Sequence, residues 1–185
     1  MLVYRQSHNV RRRANTERNP KGTGVLVSDT AASSEVHFGE RLRLRTDGAS
    51  RGNPGPAAAG VVIESDDGDV LYSVGVYLGE MPNNQAEYRA LIIGLRAVAE
   101  FQPAVVDVFM DSELVVRQMT GAYRVRDAIL QRLHREATTL VQALPHVSFT
   151  HVRRAQNALA DQLANEALDR RKRATWPSGH SEVAE

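Results

Sequence analysis

A run near the middle of the chain, residues 104–110, is apolar at every position except Asp107. It is too short to cross a membrane and is typical of a strand that is buried on both faces of a sheet. Asp111 and Ser112 follow it directly, and both are good residues for starting a helix. We therefore expect a sheet that contains this strand and carries helices on its faces.

Three strand patterns precede this run. Leu and Arg alternate at the start of residues 41–47, and two further segments typical of strands follow over 58–64 and 70–78. A loop rich in Gly and Pro over 48–56 and a turn over 65–69 separate them. We expect three antiparallel strands in succession.

Helical periodicity and helix-terminating prolines define most of the remaining elements. They are a helix over 82–101, a short helix ending at Thr120, a helix over 127–144, a strand over 147–152 and a last helix capped by Asn157. The order is β-β-β-α-β-α-α-β-α. It predicts an α/β domain whose five-stranded mixed sheet carries helices on both faces, with three antiparallel strands followed by two parallel ones.

The net charge of +1 hides an uneven distribution. Residues 1–24 contain six basic residues and one acidic residue, and nothing in residues 1–40 has a strand or helix period. We expect a basic, disordered arm over 1–40, a domain over 41–172 and a flexible tail over 173–185.

Composition excludes several classes of protein. The chain has no cysteine, which rules out disulfides, thiolate metal sites and cysteine nucleophiles. A metal ion would therefore be held by carboxylates, histidines or carbonyls. The N-terminus has no secretory apolar segment and no stretch is long enough for a membrane helix, so we expect a cytoplasmic protein without membrane contact.

Four acidic residues are predicted at the ends of elements. Asp47 and Asp111 end the first and fourth strands, while Glu87 and Asp161 lie in first turns of helices. If strands one and four are adjacent and parallel, their carboxyl ends lie side by side, where ligands bind in open sheets. Four acids at one place repel each other unless a cation intervenes, and Mg²⁺ takes oxygen ligands. Two such ions can activate water for phosphodiester cleavage.

Each acid also has an alternative interpretation. Asn84 and Glu87 have the spacing of a capping box, and Asp111 could cap the following helix. Asp161 suits a helix dipole, and Asp47 suits a turn. We favour the metal site because these alternatives would need four coincidences at one edge of the sheet.

The loop over 48–56 also allows more than one interpretation. It lacks the P-loop pattern and leads into a strand, although a glycine loop could still cradle a phosphate. It could be a wide β-turn. It could also bring the backbone close to a polynucleotide, with the Asn53 amide facing a sugar or base edge.

Together these residues resemble type 1 ribonuclease H. The matching segments are residues 46–56 (TDGASRGNPGP) with Gly60, 83–91 (NNQAEYRAL), Asp111-Ser112 and 157–164 (NALADQLA). The resemblance implies hydrolysis of the RNA strand of RNA–DNA hybrids, leaving 5′-phosphate and 3′-hydroxyl ends. It also implies two Mg²⁺ ions, with Mn²⁺ as a substitute.

The resemblance also assigns roles to individual residues. Asp47, Glu87, Asp111 and Asp161 correspond to the four metal ligands, with Asp47 bridging both ions. Asn53 and Asn84 correspond to residues that touch the hybrid in the minor groove, where 2′-hydroxyls and shape are recognised. Gly52 and Ser112 complete the implied substrate contacts.

The sequence departs from the family pattern at three places. Glu113 stands where many members have Gln, and a carboxylate cannot donate that residue's hydrogen bonds. Many members carry a catalytic His before the last acid, whereas the short segment here points to Arg154, which would bind phosphate or assist product release. We expect His151 to be a structural residue inside the fifth strand. No basic protrusion fits between residues 121 and 127.

Other functions remain possible on the same fold. A non-catalytic module could bind hybrid or RNA in the same groove, although it would gain nothing from acids facing phosphate. A phosphotransferase or ATPase would need a second domain for which the chain is too short. We expect a monomer without an obligate protein partner.

Overall fold

The first strand is longer than its alternating pattern predicts. β1 spans Arg41–Ser50 and pairs antiparallel with β2, Gly55–Ser65, which in turn pairs antiparallel with β3, Val70–Met81. The computed structural model describes residues 40–170. Residues 1–39 of the predicted basic arm and the predicted tail over 173–185 lie outside that range.

Two further strands extend the sheet in parallel. β4, Val105–Met110, lies beside β1, and β5, Val147–His151, lies beside β4. The strand order is β3-β2-β1-β4-β5. This confirms the predicted mixed sheet and places the carboxyl ends of β1 and β4 next to each other.

Helices cover both faces of the sheet, as predicted. They are α1 (Asn83–Ala99), α2 (Glu113–Met119), α3 (Ala128–Gln142) and α4 (Ala158–Arg170). α1 packs on β1 and β2 and is itself covered by α3, while α4 packs on the opposite face of β1, β2 and β3. Within residues 40–170, none of these helices has the length and apolarity needed to span a bilayer.

The expectation that β4 is buried on both faces is wrong for one face. Alternate residues from Val106 to Met110 are fully buried. Asp107 lies between them on the other face, where its carboxylate accepts hydrogen bonds from Ser148 (2.7 Å) and Arg41 (2.5 Å). On this face of the sheet α4 packs on β1, β2 and β3, so β4 is covered there by polar pairs rather than by apolar packing.

Two glycines beside Asp47 allow helices to approach the sheet closely. A Cβ on Gly48 would lie 2.1 Å from the Glu87 nitrogen in α1. Gly60 is the cross-strand partner of Asp47, and a Cβ there would lie 1.9 Å from the Ala160 carbonyl oxygen in α4. Only glycine leaves room for both contacts, which bring the N-terminal part of α1 and the first turn of α4 to β1. The prediction that Glu87 lies in the first turn of its helix is wrong, because α1 begins at Asn83 and its first turn contains no acidic residue.

Candidate active site

Three of the four predicted acids converge where β1 and β4 end. Asp47, Glu87 and Asp111 each offer a carboxylate oxygen, and these oxygens lie within 4.8 Å of one another. Asp47 and Glu87 are buried, with 5% and 7% of their surface exposed, and Asp111 is half-buried. Parallel pairing of β1 with β4 produces this convergence, as the sequence predicted.

Glu87 lies in the acidic cluster and does not cap α1. Its Oε2 accepts a hydrogen bond from the Gly48 backbone N–H at 3.1 Å. The N-cap position of α1 is Pro82, two residues before the Asn84 N-cap that the capping-box alternative requires. No side chain caps this helix, so the capping-box interpretation is wrong.

Asp161 reaches the same cavity from α4. The cavity has a volume of about 340 Å³, and all four acids line it. Asp161 lies outside the triplet described above and forms an ion pair with Arg154, whose guanidinium is 73% exposed. The negative charge of Asp161, in the first turn of α4, is therefore partly neutralised by Arg154.

The side chain of Asn157 does not cap α4, contrary to prediction. Its Oδ1 accepts no hydrogen bond within the described residues. Its Nδ2 instead donates to Asp111 Oδ1 and to the Thr46 carbonyl oxygen, both at 2.9 Å. This fully buried amide therefore orients one acid of the cluster and joins the start of α4 to β1. The pattern Asn-x-x-x-Asp suggested the residue but not this contact.

The acids repel one another in the absence of a cation. Burial, followed by the charges of Asp111 and Asp161, raises the pKa of Asp47 to about 7. Burial, followed by the charges of Asp47 and Asp111, raises the pKa of Glu87 well above its ordinary value. The N–H of Gly48 acts in the opposite direction on Glu87, but it does not outweigh burial.

The donor set fits a hard divalent cation. It consists of carboxylate oxygens, and Asp47 Oδ2 is buried without a hydrogen-bond partner among residues 40–170. A buried carboxylate oxygen without a partner is costly unless a cation neutralises it. The residues present therefore suit a divalent metal ion bound between β1, β4 and α1.

Arg154 lies at the edge of this acidic cavity. Its hydrogen bond and ion pair with Asp161, and the nearby charges of Asp47 and Asp111, raise its pKa above the ordinary value. The side chain stays a cation at any pH at which the protein is folded. It can hold a phosphate or a carboxylate but cannot exchange a proton.

None of the predicted substrate residues lines the cavity, although each adjoins or contacts a residue that does. Gly52 has φ of +113° in the exposed loop after β1, and Asn53 Oδ1 accepts a hydrogen bond from the Asn83 N–H at 3.2 Å. Asn84 Oδ1 is buried without a partner among the described residues, and Ser112 precedes α2 without capping it.

Polar residues that sequence reasoning missed line the cavity beside the acids. They are Ser50, Arg51, Asn83 and Asn165. Asn83 Oδ1 accepts a hydrogen bond from the Ser50 N–H at 3.0 Å, which joins the end of β1 to the start of α1. The paired asparagines at 83 and 84 were the available signal, but only the second of them was selected.

His151 and Glu113 differ from expectation in their surroundings. His151 is the last residue of β5, as predicted, but it is exposed and therefore not a buried structural histidine. Glu113 pairs with Arg117 one turn along α2 at 2.8 Å. This contact, together with His151 nearby, lowers the pKa of Glu113.

The chain matches known proteins over the region that carries this site. A family model described as "Reverse transcriptase-like" matches residues 45–167. A ribonuclease HI of Halobacterium salinarum is 46% identical over 146 residues, which cover 79% of this chain and 73% of that protein.

Solved structures agree with the sequence match. The crystal structure of RNase H1 from Halobacterium salinarum has a TM-score of 0.69 at 48% identity and covers 70% of this chain and 98% of that one. LC11-RNase H1, solved in complex with an RNA/DNA hybrid, has a TM-score of 0.68 at 41% identity, with 70% and 98% covered. The fold, the acidic cluster and these matches together make the chain a member of the ribonuclease H family.

Proposed function

We propose that this ribonuclease H cleaves the RNA strand of RNA–DNA hybrids internally, using two divalent metal ions and leaving 5′-phosphate and 3′-hydroxyl ends. The observation that carries the proposal is the triplet of carboxylates within 4.8 Å, at the end of two parallel strands. The hybrid-bound relative supports the choice of substrate.

We assign Asp47, Glu87, Asp111 and Asp161 as the residues that would hold the metal ions. Mg²⁺ is the proposed ion and Mn²⁺ a substitute, because both accept carboxylate oxygens. When bound, two such ions activate a water molecule and stabilise the leaving oxygen of the scissile phosphodiester.

Hydrogen bonds hold these acids in fixed orientations. Gly48 donates to Glu87, and Asn157 donates to Asp111. Fixed second partners of this kind keep metal ligands in place before the metal arrives. The acids also repel phosphate, so the chain's own cations must help to hold the scissile group near them.

Arg154 is the nearest such cation. We assign it to binding the phosphate during cleavage or to assisting release of the product, in exchange for its contact with Asp161. Its guanidinium does not act as a base, because it stays protonated.

We assign recognition of the hybrid to Gly52, Asn53, Asn84 and Ser112. The loop after β1 and the start of α1 lie together, because Asn53 accepts a hydrogen bond from the backbone of α1. Amide side chains at that point suit the minor groove of an A-form-like duplex, where they can contact 2′-hydroxyls. Dependence on 2′-hydroxyls would reject plain DNA.

A cleavage panel tests the proposal. The full chain is incubated with labelled hybrid, duplex DNA and duplex RNA, each with Mg²⁺, Mn²⁺ or excess chelator. We expect metal-dependent cleavage of the RNA strand of the hybrid, loss of that cleavage in Asp47→Asn and normal cleavage in Asp69→Asn, whose acid lies in the exposed turn between β2 and β3. Equal cleavage by both variants would refute the assignment.

Tight binding of the hybrid without turnover under either metal would instead favour a non-catalytic binding module. A cytoplasmic location and a monomeric state remain predictions, and light scattering of the full chain tests the second.

A further inference from the structure

Arg45 makes three contacts that connect β1 with the segment carrying Arg154. Its Nε donates to Glu64 Oε2 at 3.0 Å, and one terminal nitrogen donates to the Gln156 carbonyl oxygen at 2.9 Å. The guanidinium carbon lies 4.8 Å from the centroid of the Phe109 ring. The side chain is 20% exposed; its contact with Glu64 is partly buried and its contact with Gln156 is exposed.

The segment it reaches is the turn between β5 and α4, residues 153–157, called here the Arg154 turn. Internal hydrogen bonds close this turn: the Gln156 N–H donates to the Arg153 carbonyl at 2.8 Å, and the Arg153 N–H donates to Gln156 Oε1 at 3.2 Å. Residues 153–156 are all exposed. The turn therefore has little packing of its own to fix its position.

Two reciprocal hydrogen bonds fix the turn to β1. Arg45 donates from β1 to the backbone of Gln156, and Asn157 donates from the turn to the backbone of Thr46. The adjacent residues Arg45 and Thr46 of β1 thus bond to the adjacent residues Gln156 and Asn157 of the turn. Arg154 begins the short 3₁₀ segment that ends at the anchored Gln156, and Asp161 follows the anchors in α4.

We propose that Arg45 is a positioning residue that holds the Arg154 turn, and through it the Arg154 guanidinium, at the edge of the acidic cavity. The inference rests on the proposed function only for the role of Arg154 in the reaction. The geometric part, that Arg45 fixes the turn, stands on the contacts alone.

The chemistry of the side chain supports this role. A guanidinium is planar and presents several N–H groups in fixed directions, so it can bond to a carboxylate and a carbonyl while stacking on an aromatic ring. A lysine would supply one mobile point charge. The ion pair with Glu64 alone would contribute little to stability, because partly exposed pairs rarely do.

The chain offers a matched control on the same strand and face. Arg43 lies two residues before Arg45 and pairs with Asp66 at 3.1 Å, away from the turn. Arg45→Met and Arg43→Met each remove one strand guanidinium and one ion pair. Arg45→Lys keeps the positive charge but lacks the planar guanidinium. It replaces Arg45→Met in the measurements below if the methionine variant unfolds.

Steady-state cleavage of hybrid by the full chain separates positioning from a structural role. We expect Arg45→Met to lower kcat about tenfold with KM within about twofold, and Arg154→Ala to lower kcat by a similar factor. The double variant should be no slower than Arg154→Ala, because the two residues act through one group. Arg43→Met should match the wild type. If the reductions in kcat of the two single variants multiply in the double variant, the proposal is overturned.

Hydrogen exchange measured by mass spectrometry tests the geometric part without any activity. Peptides covering residues 153–158 should exchange faster in Arg45→Met than in the wild type, and at the wild-type rate in Arg43→Met. Unchanged exchange in Arg45→Met would overturn the proposal. If the wild type cuts no hybrid, the proposed function fails, while this experiment still decides whether Arg45 fixes the turn.

Discussion

Replacing Asp47 by asparagine should stabilise the metal-free protein while abolishing its activity. The carboxyl group of Asp47 is buried beside Asp111 and Asp161, and these surroundings raise its pKa from 3.8 to about 7. A group whose pKa is higher in the folded state favours folding at low pH, and this contribution is lost as the pH rises through its folded value. An uncharged amide of similar shape does not incur that loss.

The expected magnitude follows from the shift. One pKa unit corresponds to about 1.4 kcal/mol. Raising the pH from about 5.5 to about 8.5 ionises Asp47 in the folded protein and should cost roughly 2 kcal/mol of unfolding free energy. Asp47→Asn should therefore gain about 2 kcal/mol over the wild type across this interval.

Urea unfolding in excess chelator at a series of pH values measures this difference. Asp69→Asn is the control, and its free energy of unfolding should depend on pH in the same way as that of the wild type. Saturating Mg²⁺ should stabilise the wild type and not Asp47→Asn, because the bound ion replaces the missing counter-charge. Parallel pH profiles for Asp47→Asn and wild type would refute the electrostatic account of the cluster.

Three further substitutions test separate parts of the site. Gly60→Ala should destabilise the fold by about 1–3 kcal/mol or more in urea unfolding, because its Cβ would meet the Ala160 carbonyl oxygen; an unchanged midpoint contradicts the close approach of α4. Asn157→Ala should weaken Mn²⁺ binding about tenfold by calorimetry, because Asp111 loses its orienting donor; unchanged affinity contradicts that role. Glu113→Gln should leave the urea midpoint unchanged, because it breaks only an exposed ion pair; a clear loss of stability would contradict this.

The sheet was predictable because its signals are local. Alternation over residues 41–47, the turn over 65–69 and the Pro residues that end helices mark the elements, and their order limits the topology. The ends of the strands and helices were less predictable. β1 continues to Ser50 because pairing with β2 holds it extended, a tertiary effect that overrides the turn propensity of Gly48.

The convergence of the four acids was also predictable, since each lies near the end of an element that topology brings to one edge. Their supporting contacts were not. Asn157 has the sequence position of a cap, and only the packing of α4 against β1 directs its amide to Asp111. Arg45 looks like any outward-facing residue of an alternating strand, and its contact with Gln156 spans more than a hundred residues of sequence.

The half-open face of β4 depends on which strands α4 covers, and a strand pattern does not encode that. His151 lies on the opposite face, in register with Met110, and is exposed as the last residue of β5. Apolar residues in a row predict burial, but they do not say which helix supplies it.

Cleavage of hybrid in heavy-oxygen water with Mg²⁺, followed by mass spectrometry of the fragments, tests most directly whether the acidic cluster directs water at the phosphorus of the RNA strand. We expect one heavy oxygen in each new 5′-phosphate, a 3′-hydroxyl on the other fragment and no product from Asp47→Asn. Cyclic 2′,3′-phosphate ends, or cleavage that continues in chelator, would contradict this role of the acidic cluster.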